Sequence, residues 1–314
     1  MLSCRLAAFL TLALGAVFCA HAERLPFRTY TTADGLAGDA VRDLLQDSRG
    51  FLWIATSSGL SRFDGQVFRG YDTAKGMPST RAFAVVETRD GAIWIGTAEG
   101  AARLDPRSGA AGPPFHVEPF PPGVTEPVPF GVRGGAVGCL YEDRAGRLWI
   151  CADRALLVLD DPTASLAQAR RVELPPGIQG AAAVVQDEEG SVWCATTHGL
   201  VRLLPDGTHQ LYPARPPENS VPVLALDRRG RVWAGGGGGV YVFWPEPANS
   251  AAAQTGRSRP GAPASLHARS RPPTWPGELP SRPGEVLLYD RAAEKLHVHS
   301  KSEAVAKALR AGLI

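Results

Sequence analysis

Methionine is almost absent from this 314-residue chain, at 2 residues, and neither sign of charge prevails: 33 Lys and Arg stand against 31 Asp and Glu, a formal net charge of +2. So even a balance leaves no strong field of one sign, which argues against nucleic-acid binding driven by net charge. Long hydrophobic runs are missing beyond the N-terminus, so no later segment is long and apolar enough to form a membrane-spanning helix, which takes about 20 residues. Cysteine is sparse at 5 residues and no C-x-x-C occurs, so neither a zinc site nor a thioredoxin-like site is indicated. What is abundant is punctuation. The 35 Gly and 27 Pro imply frequent turns and few long helices, which disfavours a helical bundle or coiled coil. With 44% hydrophobic residues, the chain has the material for one large core or two ordinary ones and is not disordered as a whole.

The N-terminus reads as an address. Arg5 is the only early charge, Leu6 to Ala20 runs apolar, and Ala20-His21-Ala22 places small residues where a signal peptidase needs them. The pattern predicts a secretory signal over 1–22, cleaved after Ala22, and release into the periplasm or outside the cell. Cys19 follows the large Phe18, which does not suit lipidation. Cys139, Cys151 and Cys194 then remain in the mature chain. Cys151 and Cys194 lie close to tryptophans and read as small buried hydrophobes.

A repeat organises residues 23–244. Trp53, Trp94, Trp149, Trp193 and Trp233 share one context and are spaced 41, 55, 44 and 40 residues apart. The first segment reads VRDLLQDSRGFLWIATSSGLSRFDG from Val41, and the second AFAVVETRDGAIWIGTAEGAARLDP from Ala82. VGCLYEDRAGRLWICADRALLVLDD from Val137, AAVVQDEEGSVWCATTHGLVRLLPDG from Ala182 and VLALDRRGRVWAGGGGGVYVF from Val223 follow. The shared pattern is an apolar run, D-x-x-G, an apolar residue and Trp, then a Gly six residues on and a further apolar run. Asp47, Asp143, Asp187 and Asp227 lie six residues before their Trp, with Thr88 in the second unit. Gly50, Gly91, Gly146, Gly190 and Gly230 lie three before it.

The D-x-x-G predicts a hairpin turn, with Asp hydrogen-bonding backbone N–H groups ahead of it and Gly supplying positive φ. Gly59, Gly100, Gly199 and Gly239 turn the chain into a third strand; Ala155 in their place makes the third unit irregular. A fourth strand precedes each unit, as the likeness of PFRTYTTADGL to VFRGYDTAKGM indicates. Four short antiparallel strands in about 40 residues make a propeller blade. Such a sheet buries its faces only by stacking on neighbours, so the five tryptophans are expected between blades as core. The fold class is therefore all-β, a β-propeller of four-stranded antiparallel blades, five of them recognisable and the ring incomplete or irregularly closed.

The run QDSRGFLWIATSSGLSRFDG resembles the two-component regulator propeller repeat, found in periplasmic sensor regions of hybrid histidine kinases and related regulators. RDGAIWIGTAEGAARLD matches nearly as well, and the later units keep the Gly and Trp. The resemblance implies a ligand-sensing ectodomain, in some members for carbohydrate fragments. Family members usually continue into more blades, a membrane helix and an output domain, and on the sequence pattern none of these is expected after Trp244. The resemblance thus implies a periplasmic binding module for a small ligand or glycan fragment, lacking its own kinase and acting through a membrane sensor kinase or further blades. The alternatives are a secreted propeller enzyme, such as a lyase or hydrolase, or a truncated fragment of a larger sensor.

Residues 245–284 are rich in Pro, Arg, Ser and Ala and read as a disordered linker. Residues 285–314 read as a hairpin of a partial sixth blade, Glu285 to His299, followed by a short helix. The strand around Phe27–Tyr30 is suited to close the last blade. No catalytic constellation stands out, and no cofactor, metal or nucleic acid is expected. His116, His198, His209, His297 and His299 lie in turns and strands, and Gly235–Gly239 lacks the Lys-Ser/Thr of a phosphate loop. Asp160-Asp161 and Glu188-Glu189 read as solvated turn residues.

Overall fold

The computed structural model describes residues 28–105, 115–121, 135–153, 155–178, 180–213, 223–236, 239–243 and 286–290. The signal segment 1–22, the linker 245–284 and residues 291–314 lie outside them. The described chain folds as five four-stranded antiparallel sheets. The first comprises β1 (Val41–Gln46), β2 (Leu52–Thr56), β3 (Gly59–Phe63) and β4 (Phe68–Tyr71), and the second β5 (Ala82–Glu87), β6 (Ile93–Thr97), β7 (Gly100–Leu104) and β8 (His116–Glu118). The third comprises β9 (Val137–Glu142), β10 (Leu148–Ala152), β11 (Ala155–Leu159) and β12 (Arg170–Val172). The fourth holds β13 (Ala183–Gln186), β14 (Val192–Thr196), β15 (Gly199–Leu203) and β16 (His209–Pro213). The fifth holds β17 (Val223–Leu226), β18 (Val232–Gly236), β19 (Gly239–Phe243) and β20 (Val286–Asp290).

One meander recurs because one turn recurs. In each unit the residue six before Trp closes a tight hairpin: Asp47 N–H donates to Phe51 O at 2.9 Å and Gly50 N–H to Asp47 O at 2.9 Å, with the same pair of bonds in the other four units. The glycine has φ between 74° and 87° in all five, the left-handed region that a Cβ resists. A second device sets the turn between the next two strands. The hydroxyls of Thr56, Thr97 and Thr196 donate to the carbonyls of Gly59, Gly100 and Gly199 at 2.8–2.9 Å. The third sheet replaces both partners, with Ala152 opposite Ala155, yet the register is kept. The irregularity expected from Ala155 is absent there, because the strand ladder alone holds the pairing.

Central strands β2, β6, β10 and β14 are almost wholly buried because each sheet has a neighbour on both faces or on one. The first strands pack side by side in chain order, β1 on β5, β5 on β9, β9 on β13 and β13 on β17. Four apolar clusters fill the spaces between successive sheets. Among the described residues no packing of that kind joins β17 to β1.

Three sequence expectations are corrected. Val286–Asp290 does not begin a sixth blade; it pairs with β19 as the outer strand of the fifth sheet, in the register Gly239↔Asp290 to Phe243↔Val286. That outer position is therefore not filled by Arg28–Tyr30, the described part of the expected closing strand. Arg28–Tyr30 is not a strand, and the Tyr30 ring instead packs on Phe63 and Phe68 of the first sheet, centroids 5.1 and 5.4 Å away. Cys151 is also more than a small hydrophobe. It lies directly opposite Cys139 across β9 and β10, and the two form a disulfide. Cys194 is free and buried, and burial pushes its thiol up to about 12.

Candidate functional site: carboxylate–indole turns and blade contacts

Each D-x-x-G turn is a small polar centre at one end of a blade. One carboxylate oxygen accepts two backbone N–H groups of the turn. For Asp47 these are Arg49 and Phe51 at 3.0 and 2.9 Å, and Asp143, Asp187 and Asp227 repeat the arrangement. The second oxygen accepts the indole N–H six residues on. The distances are 2.9 Å for Trp53, 2.8 Å for Trp149, 2.9 Å for Trp193 and 3.1 Å for Trp233. One arginine per centre then neutralises the buried charge, from one of three positions. Arg49, Arg147 and Arg231 come from the turn itself at 3.2, 2.7 and 2.5 Å, whereas Arg202 reaches Asp187 from β15 at 2.7 Å. Burial pushes the Asp47 and Asp143 carboxyls up. The indole, backbone and arginine donors outweigh it and hold both below the usual carboxylate range.

The second blade departs from this. Thr88 stands in place of Asp, and its hydroxyl is turned to Asp90 at 2.6 Å and to the Ala92 carbonyl at 3.2 Å. Trp94 is fully buried, and its Nε1 has no acceptor. Arg103 lies over the Trp94 ring, its Cζ 5.5 Å from the centroid, and pairs with Glu118 at 3.5 Å.

The indoles sit between sheets. Trp53 packs with Ile93 and Ile95 of the second sheet, and Trp94 with Leu148 and Ile150 of the third. Trp149 meets Val184 and Val192, and Trp193 meets Leu224 and Val232. Trp233 is half-buried. Four of the five are thus taken up by contacts between sheets, and they serve as packing rather than as an aromatic ligand cage.

A polar latch joins neighbouring blades at the same turns, and sequence reasoning missed it. The backbone N–H one residue past the Asp position donates to the side chain one residue before that position in the next blade. Ser48 N–H thus reaches Glu87 at 2.6 Å, Arg89 N–H reaches Glu142 at 3.2 Å and Arg144 N–H reaches Gln186 at 2.9 Å. Arg89 and Arg144 extend the contact with their guanidinium groups, donating to the next turn's carbonyls at 2.7–3.1 Å. The signal was visible as Gln46, Glu87, Glu142 and Gln186 in register, a row of acceptors on the edge of an apolar strand.

Among the described residues no group of three His, Cys, Asp or Glu is arranged to hold a metal. His116 and His209 are exposed on strands of different sheets, His198 sits in the β14–β15 turn, and His297 and His299 lie outside the described residues. The acidic pairs are partly engaged: Asp160 meets Arg170 at 3.1 Å, and Glu189 meets Arg202 at 3.0 Å.

Five radially stacked four-stranded meanders, each with its inner strand first, define a β-propeller protein. Three of its units, at residues 35–58, 76–99 and 131–154, match the two component regulator propeller repeat. The fold is similar to those of two extracellular domains of hybrid two component systems from B. thetaiotaomicron. One is 23% identical with a TM-score of 0.57, covering 71% of this chain and 30% of that one. The other is 20% identical with a TM-score of 0.56, covering 66% and 28%. The chain therefore spans less than a third of the length of either domain. Virginiamycin B lyase from Staphylococcus aureus shares the fold at 12% identity, with a TM-score of 0.51 over 67% of this chain and 68% of that one. No match is found among curated proteins. Among the described residues, no helix is long and apolar enough to cross a membrane.

Proposed function

We propose that this chain is a ligand-binding propeller module of a two-component-type signalling system. It works outside the cytoplasm, binds a small ligand or glycan fragment at a loop-bearing mouth of the blade array, and passes the signal to a membrane partner. The observation that carries this reading is the regulator-propeller repeat in three consecutive units. The likeness to sensor extracellular domains supports it at the level of fold. The Cys139–Cys151 bridge supports export, since such bonds persist in oxidising compartments, and agrees with the signal-like segment ending at Ala22.

A second reading, a secreted propeller enzyme, has support in the fold shared with a lyase. Propellers host unrelated functions, so the fold alone does not choose between the two. One experiment separates them. The purified chain is melted in the presence of a panel of oligosaccharides, and each mixture is then analysed for product. Sensing predicts a saturable rise in melting temperature with the sugar recovered intact. Turnover supports the enzyme instead, and no stabilisation across the panel refutes glycan sensing.

A further inference from the structure

The first blade carries an unfilled half of the contact between successive blades, whose apolar part joins all four internal pairs and whose latch joins three, since Leu226 takes the acceptor position in the fifth blade. Three positions on each inner strand face the preceding blade. The first is Ala82 at 0% and Val137 at 0% exposure in the second and third blades, against Val41 at 44% in the first. The next is Val85 at 6%, Val184 at 5% and Leu224 at 9%, against Leu44 at 57%. The last is the latch acceptor: Glu87, Glu142 and Gln186 are engaged, whereas Gln46 is exposed and accepts from no donor among the described residues. The fifth blade carries the opposite half. Arg228 occupies the latch-donor position, is exposed, and its backbone N–H has no acceptor among the described residues. Trp233 beside it is half-buried, whereas the other four indoles are buried.

We propose that these two faces bind each other between copies, so that the fifth blade of one molecule docks head-to-tail on the first blade of a second. The chain's own fifth blade does not pack on its first among the described residues, which leaves the two halves complementary and apart. The docked contact then reproduces the internal ones. Val41 and Leu44 go under the partner's blade, and Gln46 accepts the Arg228 N–H as Gln186 accepts that of Arg144. Joining unlike faces makes the contact heterologous, so it closes a ring of copies or extends a chain of them.

Cross-linking tests this directly. In full-length chain with Cys4 and Cys19 changed to Ser, only introduced thiols are reachable, because Cys139 and Cys151 are bonded to each other and Cys194 is buried. Gln46→Cys and Arg228→Cys variants are prepared separately, mixed and mildly oxidised. A covalent dimer should form in the mixture several-fold faster than in either variant alone, and adding Leu44→Glu to the Gln46→Cys chain should abolish it. Leu44 is largely exposed in the single molecule, so Leu44→Glu should melt at the parent temperature. No dimer in the mixture, or a dimer insensitive to Leu44→Glu, overturns the proposal. So does a double variant that cross-links only within one chain, because the ring then closes on itself.

Discussion

Trp94 offers a within-molecule control on what the carboxylate–indole bond contributes. Trp94 and Trp193 are both fully buried, each lies beneath an arginine nine residues on, and both pack against the next blade. They differ at the indole nitrogen: Trp193 donates to Asp187 at 2.9 Å, and Trp94 has no acceptor. Changing either to Phe removes similar apolar volume. At position 193 it also removes a hydrogen bond to a charged group, about 1.5–3 kcal/mol, whereas at 94 it removes an unsatisfied buried donor that costs about 1–3 kcal/mol to leave in place. Trp193→Phe should therefore destabilise the fold by at least about 2 kcal/mol more than Trp94→Phe. At about 2–4 °C per kcal/mol for a domain of this size, that is a gap of roughly 4–8 °C in melting temperature. The companion is a double-mutant cycle of Thr88→Asp with Trp94→Phe. The substitution at Thr88 restores the acceptor found in the other four blades, and Arg103 stands where Arg202 stands in the fourth. The coupling between the introduced carboxylate and the Trp94 indole should favour the pair by about 1.5–3 kcal/mol, and the cycle cancels the cost of burying the new charge. Calorimetry reads all of these. Equal melting-temperature losses for the two Trp→Phe variants, with no coupling in the cycle, would refute the argument.

Three further outcomes follow from the same geometry. Asp143→Asn, which weakens the bonds from Trp149 and Arg147, should cost about 2–4 kcal/mol in urea unfolding. Because Asp47 and Asp143 are held below the usual carboxylate value, their contribution is complete above about pH 4 and is lost as pH falls through their folded values. Melting temperature should drop with acid in that window, less steeply in Asp143→Asn; a parallel drop contradicts the assignment. Unfolding the chain from Glu23 onward in guanidinium without reductant should expose one thiol, that of Cys194, and three after reduction, while the native protein shows none because that thiol is buried and its ionisation is pushed up to about 12. Glu87→Ala removes the acceptor for both the backbone N–H and hydroxyl of Ser48 and should lower stability by about 1–2 kcal/mol, whereas Gln46→Ala in the isolated molecule should change it by less than about 0.5 kcal/mol.

Much of the architecture is local and therefore readable along the chain. A D-x-x-G turn needs only its own six residues, and the positive-φ glycine is demanded by backbone sterics whatever surrounds it. The repeat of that turn with Trp at fixed spacing, together with short apolar strands, specifies four-stranded blades and their order. The asymmetric neighbours of Trp94 were also visible, since Thr88 breaks the Asp series, but its consequence was not. That the carboxylate serves the indole as well as the turn depends on the strand returning beside it. The Asp–Trp spacing of six was the only hint.

What tertiary structure alone decided are the contacts between segments distant in sequence. Val286–Asp290 and Phe27–Tyr30 are both plausible outer strands by pattern, and an edge of β19 with open backbone groups accepts either; only the folded chain selects the first. The Cys139–Cys151 bond depends on strand register, in which a shift of one residue would place the two on opposite faces. Which inner strand lies open is set by whether a neighbouring blade arrives, and Leu44 and Val85 have equivalent places in nearly identical sequence patterns. The sequence thus determined each blade, because turn and strand chemistry act over a few residues. The end faces and latches belong to the assembly, because burial is a property of what packs nearby.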